Sequence, residues 1–175
     1  MQNAKLYGEA LHALASDDNV SDVILTELKE IAALFSEQPD YVKILDSHII
    51  PRAELIKIID EDFGGKINEY TLNFIKLLSE KHLVHRISEC TREFERLYNA
   101  ANNVTVVNVT TAKPLSDMLL NKLKEKMEAK TGGKIIIKTA TDPKCIGGII
   151  MNTDDMSIDA SIKSELEDMR QRIAN

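Results

Sequence analysis

The chain has 175 residues, a formal net charge of −6, and 43% apolar against 29% charged side chains, the balance of a folded chain with room for one large or two small domains. Tryptophan is absent and aromatics make up 5% of the chain, so the core must be mostly aliphatic. No apolar run approaches the roughly 18 residues that a membrane span needs, and Cys90 and Cys145 lack zinc-motif spacing and fit a reduced compartment.

The first hundred residues read as six helices broken by turn signals. Asn3 to Ala15 has helical periodicity and ends at Ser16-Asp17-Asp18-Asn19. It carries Lys5, Glu9 and His12 through its apolar pattern, so it is not read as a signal peptide. Ser21 to Ser36 repeats the pattern through Ile24, Leu25, Leu28, Ile31, Ala32 and Phe35. Pro39 opens a short helix to Leu45, since proline suits a first turn. Ile50-Pro51 breaks the chain before a helix from Arg52 to Phe63, which Gly64-Gly65 ends. Asn68 caps the next helix, to Glu80 or Lys81. The last runs from Leu83 to about Ala101. Short links make this the pattern of an antiparallel bundle.

Two of these helices are apolar over too wide an arc. On a helical wheel Ala4, Leu6, Tyr7, Ala10, Leu11, Ala13, Leu14 and Ala15 cover about 200°, and Tyr70, Leu72, Phe74, Ile75, Leu77, Leu78 and Leu83 about 240°, where an ordinary surface helix needs a stripe of about 100°. Either both helices are central in the bundle, or they flank a groove that accepts a partner's amphipathic helix.

Composition changes at Asn102-Asn103. Val104 to Thr111 is β-branched and strand-like. Pro114 and Ser116 open a helix through Lys130, and Thr131-Gly132-Gly133 closes it. Lys134 to Thr141 reads as a second strand. Asp142-Pro143 suits the corner of a hairpin leading to Ile149-Ile150-Met151, with Gly147-Gly148 suggesting a bulge. Asp155 to Asp159 reads as a last strand and Ser161 to Ile173 as a closing helix. The expected fold is α+β: a six-helix antiparallel bundle over residues 1–103, then a small α+β domain over 104–175.

Charge divides at the same place. Residues 1–103 hold 18 acidic and 11 basic side chains, a net −7, and residues 104–175 hold 10 and 11, a net +1. The first part lacks the basic footprint of a nucleic-acid binder. Its acidity favours a basic partner, or serves solubility alone.

No catalytic constellation emerges. His82-x-x-His85 has no third ligand at metal-site spacing. Cys145 has no flanking histidine or aspartate motif that would mark a nucleophile. Gly65-Lys66 and Gly133-Lys134 are followed by isoleucine and have Asp60 and Glu128 where a phosphate loop needs glycine. Asp154, Asp155 and Asp159 lack calcium-loop spacing.

The series Asp142-Pro143-x-x-Ile146-Gly147-Gly148, then Asp155-x-x-x-Asp159-x-Ser161, then a terminal helix, resembles the C-terminal signature of the delta subunit of F-type ATP synthase, the oligomycin-sensitivity-conferring family. Tyr7-Gly8-x-Ala10-Leu11 is similar to that family's opening, with Gly8 in place of alanine, and Asn73-Phe74-x-x-Leu77-Leu78, Arg86-Ile87 and Phe94 fit its middle.

The resemblance implies a non-catalytic stator subunit with no cofactor and no catalytic or metal residue. In this reading the helical domain binds N-terminal segments of alpha subunits, and the C-terminal domain meets the peripheral-stalk b subunit. The protein then works peripherally at the cytoplasmic face of the cell membrane, without direct membrane insertion and without nucleic acid. Tyr7, Leu11, Leu14, Phe74, Ile75 and Leu78 are the expected groove residues. Asp142, Pro143, Ile146, Gly147, Gly148 and Asp159 are the expected stalk-docking or structural residues. Without the resemblance, the residues alone also allow a free-standing helical adaptor or regulatory module of another complex.

Overall fold

The structure, a computed structural model, describes residues 2–142, 148–153 and 157–161. Backbone contacts divide the chain into two units, Met1–Tyr98 and Asn99–Asn175.

The first unit is built from α1 (Gln2–Asp17), α2 (Ser21–Glu37), α3 (Pro39–Leu45), α4 (Arg52–Phe63), α5 (Glu69–Glu80) and α6 (Ile87–Ala101), the last of which runs just past the division. Local chemistry sets the boundaries. Asn19 takes a left-handed conformation (φ 56°), and the Asn19 and Val20 amides return to the Ser16 and Ala15 carbonyls at 3.2 and 3.0 Å. This turn closes α1 and frees the chain to start α2. Pro39 stands in the first turn of α3. Gly64 caps α4, and the positive φ of 69° falls on Gly65. Asn68 caps α5, its Oδ1 accepting from the Tyr70 amide at 2.9 Å.

One expected helix is corrected. The stretch from Leu83 opens as a 3-10 turn (Val84–Arg86), and α6 starts only at Ile87. The cause lies upstream. His82 is left-handed (φ 53°), and the Leu83 amide bonds the Leu78 carbonyl at 2.8 Å. The next free amides, Val84 and His85, then donate to the Asp46 carboxylate at 2.7 and 3.0 Å. A cap contributed by a residue 38 positions earlier leaves no trace in local sequence.

The core of this unit is aliphatic with few rings. Ile24, Leu28, Ile59, Ile75, Leu78 and Phe94 are fully buried, each such side chain contributing about 1.5–3 kcal/mol of transfer free energy. Between helices, Lys29 pairs with Glu95 at 2.9 Å, Tyr98 donates to Asp22, and Tyr70 donates to Asp18.

The second unit holds β1 (Val104–Thr111), α7 (Asp117–Thr131), β2 (Lys134–Thr141), β3 (Gly148–Asn152) and β4 (Ser157–Ser161), so the chain is α+β. Among the described residues the sheet has four strands in the order β2-β1-β3-β4. β2 lies parallel to β1, Val104 opposite Lys134 through to Thr111 opposite Thr141. The crossover is α7, whose Leu123 and Met127, with Leu115 before it, pack on Val107, Val109 and Ile135. Gly132 ends α7 in a left-handed conformation (φ 69°).

The expected hairpin between Lys134–Thr141 and Ile149–Met151 is therefore corrected: β3 pairs antiparallel with β1, from Asn108–Asn152 to Thr111–Ile149. A parallel β-α-β crossover docks β2 on one side of β1 and leaves the other side of this buried, β-branched strand to be paired. β4 spans Ser157–Ser161, with Gly148 opposite Ser161, and Asp155 and Met156 of the expected last strand lie outside the described residues. Pro143, Ile146, Gly147, Cys145 and the expected helix Ser161 to Ile173 beyond its first residue lie outside the described residues.

Candidate docking surfaces

The apolar arc of α1 is divided between two tasks. Ala4, Gly8, Leu11 and Ala15 are buried, one stripe at helical spacing made almost entirely of small residues. Small side chains let the backbone come close. A Cβ on Gly8 would stand 2.8 Å from the Cys90 carbonyl oxygen and 3.1 Å from Glu93 Cβ. So α1 rests on α6 at this point. Beneath it the Cys90 thiol is buried, and burial pushes its pKa up to about 11, which makes it a poor nucleophile. His12 meets the Phe94 ring edge-on, with centroids 5.4 Å apart, and burial lowers its pKa.

The rest of the arc faces outward. Leu6 is 63% exposed and Leu14 53%, with Ala10 and Ala13 exposed beside them and Tyr7 half-buried. α5 is divided in the same way. Phe74, Ile75 and Leu78 are at most 5% exposed, whereas Leu77 is 37% exposed and Asn73 is exposed. α1 packs on α5, and the Tyr70–Asp18 hydrogen bond joins the start of α5 to the end of α1.

Of the six expected groove residues, Leu11, Phe74, Ile75 and Leu78 are thus core, and only Tyr7 and Leu14 reach the surface. Periodicity measures how wide an apolar arc is; it does not say which edge turns inward. Leu6 and Ala10, on the same arc, are the surface positions in their place. The signal that marks the inner side is the small-residue spacing Ala4, Gly8, Ala15, which permits the close approach to α6.

The flanks are acidic. Glu9, Asp17 and Asp18 are exposed, and Asp18 holds the Tyr70 phenol, whose pKa it raises by accepting that hydrogen bond. The seat of α5 is fixed by Glu27 of α2: one carboxylate oxygen accepts from the Asn68 amide at 2.8 Å and the other from the Thr71 hydroxyl at 2.5 Å.

In the second unit, Asp142 follows β2 and its amide donates to the Thr111 carbonyl at 2.9 Å. Gly148 opens β3, and Asp159 stands opposite Ile150 in β4. Met118 is 69% exposed and Leu119 54% on the first turn of α7. Among the described residues no group of three or more His, Cys, Asp or Glu could hold a metal ion, and no helix is long and apolar enough to cross a membrane.

Comparison with known proteins covers both units. A family model described as ATP synthase delta (OSCP) subunit matches residues 4–173. The chain is 28% identical over 165 residues to the ATP synthase subunit delta of Clostridium kluyveri, covering 94% of this chain and 91% of the relative. It is 31% identical over 164 residues to the protein of that name from Moorella thermoacetica, covering 94% and 92%. A chain in a cryo-EM structure of the Toxoplasma gondii mitochondrial ATP synthase hexamer shares the fold, with a TM-score of 0.77 at 14% identity over 100% of this chain and 99% of that one.

Proposed function

The chain belongs to the ATP synthase delta (OSCP) subunit family and is a non-catalytic stator component of the F-type ATP synthase; from that premise we propose that its two units dock on different neighbours. The six helices act as an antiparallel bundle that receives N-terminal segments of alpha subunits. The second unit, over residues 104–175, meets the b subunit of the peripheral stalk. The protein works at the cytoplasmic face of the cell membrane, held there by the complex.

The observation that carries the alpha-side reading is the outer apolar face of α1 and α5. Leu6 and Leu14 are more than half exposed on a helix whose opposite side is already packed. A basic amphipathic helix would bury its own apolar stripe on Tyr7, Leu6, Ala10, Leu14 and Leu77 and set its cations near Glu9, Asp17 and Asp18. On the stalk side, Asp142, Pro143, Ile146, Gly147, Gly148 and Asp159 are proposed to shape the end of the sheet that b meets. A free-standing adaptor of another complex is not favoured, because the family match runs through both units.

The test uses the full chain and a synthetic alpha N-terminal peptide. Leu6→Asp combined with Leu14→Asp should leave the helical circular dichroism unchanged and weaken peptide binding by at least about tenfold, since each buried leucine in an interface is worth about 1.5–3 kcal/mol. Unchanged affinity would reject the α1–α5 face. Phe74→Asp is a poor probe, because Phe74 is 5% exposed and a charge there unfolds the bundle.

A further inference from the structure

The helix α7 crosses between β1 and β2 and gives one side to the sheet, where Leu123 and Met127 pack on Val107, Val109 and Ile135. At about 100° per residue, the side turned away from those two carries Met118, Leu119, Lys122, Lys126 and Ala129 within an arc of about 100°. Met118 is 69% exposed and Leu119 54%, and Lys122, Lys126 and Ala129 are exposed with them. Met118, Lys122 and Lys126 follow one another roughly one turn apart, so an apolar pair at the start of the helix leads into two cations.

The fold does not use these cations. Lys124, nearer the sheet, lies 4.0 Å from Glu128, whereas Lys122 and Lys126 pair with no carboxylate among the described residues. Glu125 borders the face and is exposed. Two cations beside an acidic neighbour are too few to hold a nucleic-acid backbone. Two apolar side chains at one end are too few for a helix lying in a membrane surface, which needs an apolar face along its length. Methionine beside leucine makes an adaptable apolar anchor. Such an anchor, with cations one and two turns further on, suits a partner helix of opposite charge.

We propose that the outer face of α7 docks an acidic amphipathic helix of another synthase subunit. The apolar stripe of that helix covers Met118, Leu119 and the aliphatic stems of Lys122 and Lys126, and its carboxylates meet the two ammonium groups. The residues proposed to meet b are Asp142 to Gly148 and Asp159, none of them on α7, so this contact does not depend on where b docks. Its sign is opposite to that of the α1–α5 face, where Glu9, Asp17 and Asp18 suit a basic segment. A basic segment is repelled by Lys122 and Lys126, so the two surfaces of the chain select different ligands by charge.

The experiment places a photoactivatable phenylalanine at Met118 or Leu119 in the full chain assembled into the synthase, and identifies the captured segment by peptide mass spectrometry. The expected product is a stretch of another subunit with an apolar stripe at helical spacing and a net negative charge. A synthetic peptide of that stretch should bind the isolated full chain. Lys122→Glu combined with Lys126→Glu should weaken this binding about tenfold with the circular dichroism unchanged, and Met118→Ser combined with Leu119→Ser should weaken it by a similar factor. A basic or uncharged segment, a lipid, α1 of a second copy, no product at all, or an affinity unmoved by charge reversal would each overturn the proposal. Binding of b to the wild-type chain is scored separately, so failure of the stalk reading is distinguishable from failure of this one.

Discussion

Gly8 stands where the family opening has alanine, and on helix propensity alone it weakens α1 by up to about 1 kcal/mol. The packing gives that glycine a reason. A methyl group would sit 2.8 Å from the Cys90 carbonyl, a backbone atom that cannot rotate aside. Gly8→Ala should therefore lose more by separating α1 from α6 than it gains in propensity, a net destabilisation of about 1 kcal/mol. Urea unfolding checks this: the midpoint should fall at unchanged slope, whereas a higher midpoint would mean that α6 yields without cost. The same contact explains why the small stripe of α1 lies inside and Leu6 and Leu14 lie outside. A single sequence displays the residues of that stripe but not the neighbour that makes their smallness matter.

At the scale of elements, the corners are fixed by carboxylates from distant helices. Glu27 of α2 takes both the Asn68 amide and the Thr71 hydroxyl at the start of α5, as Asp46 takes the start of the 3-10 turn. Removing such an acceptor leaves partly buried donors unpaired, which costs about 1–3 kcal/mol. Glu27→Ala should lower stability by that amount and Glu27→Gln by less, since the amide retains an acceptor oxygen; equal losses measured by thermal unfolding would show that the charge, not the acceptance, holds α5. These long-range caps mark the limit of what could be read from local pattern. The helices announced themselves through periodicity and through Pro39, Gly64, Asn68 and Gly132, because those signals act within a turn or two. The strand order did not. Asp142-Pro143 marks a corner, but whether β3 returns to β2 or crosses to β1 depends on which edge the α7 crossover has already filled. The expected groove residues divide between core and surface for a related reason, since Leu11 and Leu14 share one arc and only the position of α6 separates core from surface.

Across the whole chain, charge divides between a strongly acidic helical part and a nearly neutral remainder. Residues 1–98 and 1–103 carry the same net −7, because Asn99 to Asn103 hold no charge, and the remainder carries +1. If the helical unit holds a basic alpha segment near Glu9, Asp17 and Asp18, that contact gains long-range attraction which salt screens. The apolar part of the contact, on Leu6 and Leu14, is insensitive to screening or slightly strengthened by it. Raising sodium chloride from about 0.05 M to about 0.5 M should therefore weaken alpha-peptide binding about three- to tenfold, mainly through the association rate. If the nearly neutral second unit meets b as proposed, a peptide from the stalk end of b should change in affinity by less than about twofold. Titrations of the two peptides on the same preparation separate the cases. Equal salt dependence on both sides would remove charge as the property that distinguishes the docking surfaces. A salt effect that persisted after Glu9, Asp17 and Asp18 were replaced by their amides would place the attraction elsewhere on the bundle.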